Sequence, residues 1–104
     1  MTDWGRIHTL YALLVRHYPS VGAAVGYAAS WGRVGDASQG LQVLEELGAE
    51  GPQRSQPYWA VRAWLLGELG RAKESHAAYE RAIGLCADPA VRAWLRGRQK
   101  ALVG

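Results

Sequence analysis

The chain has 104 residues, 49% hydrophobic and 20% charged, which is the range of one globular domain and not of a disordered tail. Its formal charge of +3 is mild, and ten of its twelve basic residues are arginines scattered from Arg6 to Arg98. It therefore lacks the concentrated stripe of a tight nonspecific nucleic-acid binder. Cys86 is the only cysteine, which excludes an internal disulfide, a cysteine-based zinc site and a CxxC redox centre. No apolar run approaches the roughly 18 residues of a membrane span, and the start Met1-Thr-Asp-Trp-Gly-Arg does not read as a signal peptide. These features fit a soluble cytoplasmic protein.

The punctuation predicts six helices in a single domain over residues 1–104, an all-α fold. The first runs over 3–17, with Asp3 as its N-cap and Ile7, Leu10, Tyr11, Leu14 and Tyr18 at helical spacing, and it stops at Pro19. Ser20 caps a second helix that reaches about Arg33, and Gly35 ends it. Asp36 caps a third, up to Leu47, with Leu41, Leu44 and Leu47 as its stripe. Residues 48–56 read as a loop. Pro57 suits the first turn of a fourth helix that ends at Gly70, and a fifth runs from Arg71 to Cys86. Asp88-Pro89 then opens a capping helix over 88–102.

Gly35 and Gly70 stand at equivalent places 35 residues apart. Counting outward from each, Ala24, Ala28 and Trp31 align with Trp59, Ala63 and Leu66, and Gly40, Leu44 and Leu47 with Ser75, Tyr79 and Ala82. Large and small residues alternate as in the tetratricopeptide repeat, a 34-residue helix–turn–helix unit. The expected architecture is two such repeats, over 20–47 and 57–86, in a right-handed α-superhelix, with the first and last helices covering the open ends. The first repeat is the poorer one. Gly22, Gly26 and Gly32 inside its first helix each cost about 1 kcal/mol relative to alanine, so tertiary packing has to hold that helix.

Several stretches resemble the C-terminal helical extension carried by a subgroup of bacterial extracytoplasmic-function RNA polymerase sigma factors. They are Asp3-Trp-Gly-Arg-Ile7 through Leu10-Tyr11, Pro19-Ser-Val21, Gly40-Leu41, Val61-Arg-Ala-Trp-Leu-Leu66, Leu69-Gly-Arg71 and Ala78-Tyr-Glu-Arg-Ala82. Together they cover nearly the whole length. The pattern departs at Gly26-Tyr27-Ala28, where the family has Asn-Arg-Ala, and at Ser55-Gln56, where it has Tyr-His. The sigma domains that bind core polymerase and read promoter elements have no counterpart in this sequence, so the chain does not do a sigma factor's work by itself. The resemblance implies a regulator of transcription initiation acting through protein contacts, with RNA polymerase or sigma-factor domains as partners.

No catalytic or cofactor site emerges. His8, His17 and His76 lack a His or Cys partner at i,i+4, so no metal site is expected. Cys86 lies near a helix C-terminus, whose negative dipole end disfavours a thiolate. The adjacent carboxylates Glu45 and Glu46 face different directions on a helix. The Gly-x-x-Gly spacings lack the strand and the Lys-Ser/Thr of a phosphate loop, and no G-x-S-x-G elbow occurs. Arg62 has Glu45, Glu46 or Glu80 as candidate ion-pair partners.

The reading is a non-catalytic protein–protein interaction module without a cofactor, whose partner-binding groove is lined by Val25, Ala29, Arg33, Trp64 and Glu68. Trp64 falls where a repeat presents its inner groove, and an exposed tryptophan is a binding anchor. If Trp94 is exposed too, the pair makes a patch that favours homodimerisation. Arg92, Arg96 and Lys100 fall at i,i+4 spacing and form a basic face, first read as solvated and alternatively as a nucleic-acid contact. A self-association module is the other alternative.

Overall fold

A computed structural model describes residues 3–47 and 55–102. Five of the six described helices start where a short polar side chain takes up a backbone N–H that the helix leaves unpaired. Asp3 accepts from the N–H of Arg6 and opens α1 (Trp4–His17); Ser20 accepts from Ala23 and opens α2 (Val21–Arg33). Asp36 accepts from Gln39 before α3 (Ala37–Glu46), and Ser55 from Tyr58 before α4 (Gln56–Glu68). Asp88 accepts from Ala90 before α6 (Pro89–Lys100). Of the described helices, α5 (Ala72–Leu85) alone starts without a side-chain cap, at Arg71. Helix α4 begins at Gln56, one residue before the expected Pro57, because the cap is Ser55. The remainder of the expected 48–56 loop, residues 48–54, lies outside the described residues.

Helices α2–α3 and α4–α5 form two hairpins closed by the same turn. Gly35 and Gly70 take φ values of 95° and 76°, the left-handed region that side-chain-bearing residues avoid. In the first turn Gly35 N–H donates to Gly32 O at 3.2 Å, and Asp36 N–H to Trp31 O at 2.9 Å. In the second Gly70 N–H donates to Gly67 O at 3.0 Å, and Arg71 N–H to Leu66 O at 2.9 Å. The same carbonyls are satisfied at the same offset. The close approach inside each hairpin recurs as well. A Cβ on Gly40 would stand 2.5 Å from the carbonyl oxygen of Ala28, so a larger residue would force α2 and α3 apart. At the equivalent place in the second hairpin, Ser75 Oγ donates to Ala63 O at 2.6 Å.

Helix α4 is the centre of the packing. It gives Ala63 and Leu66 to one core cluster, with Leu41, Tyr79, Ile83 and Leu95. It gives Tyr58 and Leu65 to a second, with Val25, Ala28 and Leu44, while half-buried Trp59 packs against both. Helix α6 is seated on α5 by buried Leu95 and by Gln99, whose amide donates to His76 O at 3.2 Å and Glu80 Oε1 at 2.7 Å.

Helix α1 lies against α2 and buries no residue fully. Its expected apolar stripe splits: Ile7 and Tyr11 are half-buried, whereas Leu10, Leu14 and Tyr18 are exposed. A helix with one flank covered hides only a narrow stripe, and here that stripe runs through Ile7, His8, Tyr11 and Val15. Trp31 joins His8 and Tyr27 in a half-buried aromatic cluster between α1 and α2. No helix among the described residues is long and apolar enough to cross a membrane.

Candidate functional site: an arginine–tryptophan groove

A groove of about 240 Å³ opens between α2, α4, α5 and α6. Ala29 and Arg33 line it from α2, Ala60, Val61 and Trp64 from α4, Tyr79 from α5, and Trp94 and Arg98 from α6. It continues past Trp64, Tyr79 and Arg98 into a second recess flanked by Gly67, Glu68 and Leu102. The walls have a simple local origin. Gly32 has no side chain where Trp64 lies: a Cβ there would be 2.6 Å from the indole Cζ3. The ring thus rests on the α2 backbone and becomes the side of a trough. Trp94 stands on the opposite wall with 61% of its surface exposed.

Two guanidiniums edge the trough. Arg33 Cζ is 4.7 Å from the Trp64 ring centre and 5.1 Å from that of Trp4, which ties the start of α1 to α4. Arg98 Cζ is 5.6 Å from the Trp94 ring centre, one helical turn along α6. Such contacts contribute about 0.5–1 kcal/mol each at exposed sites, enough to bias a rotamer. Neither arginine is ion-paired with a carboxylate of the described residues, whose one salt bridge is the exposed Arg71–Glu74 pair at 2.6 Å. There the Glu74 hydrogen bond raises the Arg71 pKa above its ordinary value; desolvation opposes this, and the charges of Glu74 and Glu45 add to it.

The structure brings Ala29, Arg33 and Trp64 together on one groove and places Glu68 at its far end. Val25 does not line the groove. It is 6% exposed and packs against Ala28, Leu44, Tyr58 and Leu65. It lies one helical turn before Ala29, so spacing puts both on one face, but the neighbouring helices close over the earlier turn. Ala60, Val61, Tyr79 and Arg98 were not anticipated as lining. Arg98 follows Trp94 at i+4, a legible stacking signal; the part played by Tyr79 depends on where α6 docks. Trp64 and Trp94 do share one patch. Arg92, Arg96 and Lys100 are exposed along α6, on the other side of the buried Leu95–Gln99 stripe from the groove.

Arg62 makes no ion pair with Glu45, Glu46 or Glu80 among the described residues; Glu80 accepts from Gln99 instead. His8 Nδ1 and Ser30 Oγ are 2.9 Å apart, a Ser–His contact the sequence did not advertise. Ser30 donates its own proton to Tyr27 O at 2.7 Å, so it accepts from His8, the reverse of what a nucleophile needs. It is also only 2% exposed. Cys86 Sγ lies 3.6 Å from Asp88 O. Among the described residues no group of three or more His, Cys, Asp or Glu side chains could hold a metal ion.

No family model matches the chain, and no solved structure matches it. An uncharacterized protein of Rhizobium meliloti (strain 1021) is 34% identical to it over 98 residues, covering 91% of this chain. The chain spans 22% of that relative's length.

Proposed function

We propose that this domain is a non-catalytic docking module that takes a protein segment into the groove between α2, α4 and α6. The observation that carries the reading is the convergence of Trp64, Trp94, Arg33 and Arg98 on one open trough. Tryptophan and arginine are the residues that most often dominate binding energy at protein interfaces. We read the two matching hairpins as tetratricopeptide-like, a scaffold suited to presenting such a surface. That the relative is several times longer accords with a module joined to other domains. The transcriptional setting, with RNA polymerase or sigma-factor domains as partners, rests on the sequence blocks alone.

The test is selection from a random dodecapeptide display library on the wild-type chain and on Trp94→Ala. Enrichment on the wild type that Trp94→Ala abolishes supports docking in the groove. Failure to enrich, or enrichment that survives Trp94→Ala, overturns it.

One observation favours the self-association reading. Leu10, Leu13, Leu14 and Tyr18 leave an exposed apolar face on α1. A mass that doubles with concentration and returns to the monomer value on Leu13→Glu would assign that face to a second copy.

A further inference from the structure

Resting on the docking reading, we infer that the segment the groove accepts is acidic: carboxylates flank an apolar side chain, and a neutral or basic residue passes Glu68. Three observations carry this. First, the cations are poised and unspent. Arg33 and Arg98 are each held over an indole, and neither is ion-paired with a carboxylate of the described residues. A guanidinium over a ring face still carries the fork of N–H donors that can fit a carboxylate at two points. Stacking also restricts the side chain beforehand, so less rotamer freedom is lost on binding.

Second, the space between the arginines is apolar. Ala29, Ala60, Val61 and the faces of Trp64, Tyr79 and Trp94 surround it, which suits a leucine- or phenylalanine-sized anchor and gives a lone anion nothing to fill it.

Third, the charge changes sign along the trough. Glu68 lines the recess beyond Arg98. A polyphosphate backbone running the length of the groove would meet that carboxylate, whereas a peptide can change its own side chain there. The exposed cations Arg92, Arg96 and Lys100 of α6 are on its other flank and do not extend the groove.

The test measures the peptides recovered on the wild-type chain by fluorescence anisotropy, with Arg33→Gln, Arg98→Gln and Glu68→Gln as variants. Arg33 also braces Trp4, so Arg98→Gln is the cleaner variant; circular dichroism confirms that each is folded. The expected result is a consensus rich in Asp and Glu beside one large apolar residue. Affinity should fall about tenfold on Arg98→Gln, the loss of one charge-assisted pair, and further with added salt. Glu68→Gln should widen the consensus to acids at its end. A consensus without acidic excess, or affinity unchanged by both arginine variants, overturns the acidic assignment. If such peptides still depend on Trp94, the docking reading stands without it; if nothing is recovered, both fail. Displacement of the bound peptide by single-stranded oligothymidylate at lower concentration than by an acidic competitor would also overturn it, in favour of nucleic acid.

Discussion

Substituting Gly32 by alanine separates the glycine's cost from its purpose. In the interior of α2 alanine is favoured over glycine by about 1 kcal/mol on helix propensity alone. Its Cβ, however, would stand 2.6 Å from Trp64 Cζ3 and 2.7 Å from Leu65 Cδ2. That is about 0.8 Å short of the 3.4 Å at which ordinary contact begins. Trp64 lies between this backbone and the Arg33 guanidinium and lines the groove, so a shift of its ring alters the groove wall. Inserting a methylene or methyl into packed surroundings costs about 1–3 kcal/mol. The net expectation is a loss of up to about 2 kcal/mol, together with weaker binding of any peptide the groove selects. Gly84→Ala is the control, since nothing lies within 4 Å of a Cβ there in α5. It should gain up to about 1 kcal/mol and leave binding alone. Urea unfolding followed by circular dichroism reads both. If Gly32→Ala is as stable as Gly84→Ala and binds normally, that steric account is wrong.

Other expectations follow from single contacts. Leu95→Ala, which empties a fully buried site between α5 and α6, should cost about 2–5 kcal/mol in urea unfolding. Ser75→Ala deletes the hydroxyl bonded to Ala63 O and leaves that carbonyl with one partner fewer, for about 1–3 kcal/mol. Asp88→Ala removes the α6 cap and should cost about 0.5–2 kcal/mol, with the loss seen first as faster amide exchange at Ala90. Trp94→Ala should leave the unfolding midpoint nearly unchanged, because the side chain is 61% exposed; Trp64→Ala should lower it, because that ring also packs against the second core cluster.

Local signals were readable and non-local ones were not. Asp3, Ser20, Asp36 and Asp88 cap the helices they were expected to cap, because a cap acts within three residues of itself. The turn glycines Gly35 and Gly70 were legible for the same reason. Half of the groove followed from helical spacing: Ala29, Arg33 and Trp64 lie on inner faces. Spacing names a face without saying how far a neighbour covers it, which is why Val25 falls in the core and Leu10, Leu14 and Tyr18 remain outside. The rest of the groove exists because Leu95 and Gln99 seat α6 against α5, presenting Trp94 and Arg98 to Trp64. That placement is a property of the assembled chain. The glycines of α2 read from sequence as weak points, yet two of them make room for rings: Gly26 for Tyr11 and Gly32 for Trp64.

The central claim is that the trough between Trp64 and Trp94 is the docking surface. Its most direct test is the set of indole N–H resonances in a two-dimensional NMR spectrum, assigned by single Trp→Phe variants and followed as a selected peptide is added. The account predicts that Trp64 and Trp94 shift and saturate together, while Trp31, in its aromatic cluster with His8 and Tyr27, stays in place. Saturable shifts at Trp31 with Trp64 and Trp94 unmoved would contradict it.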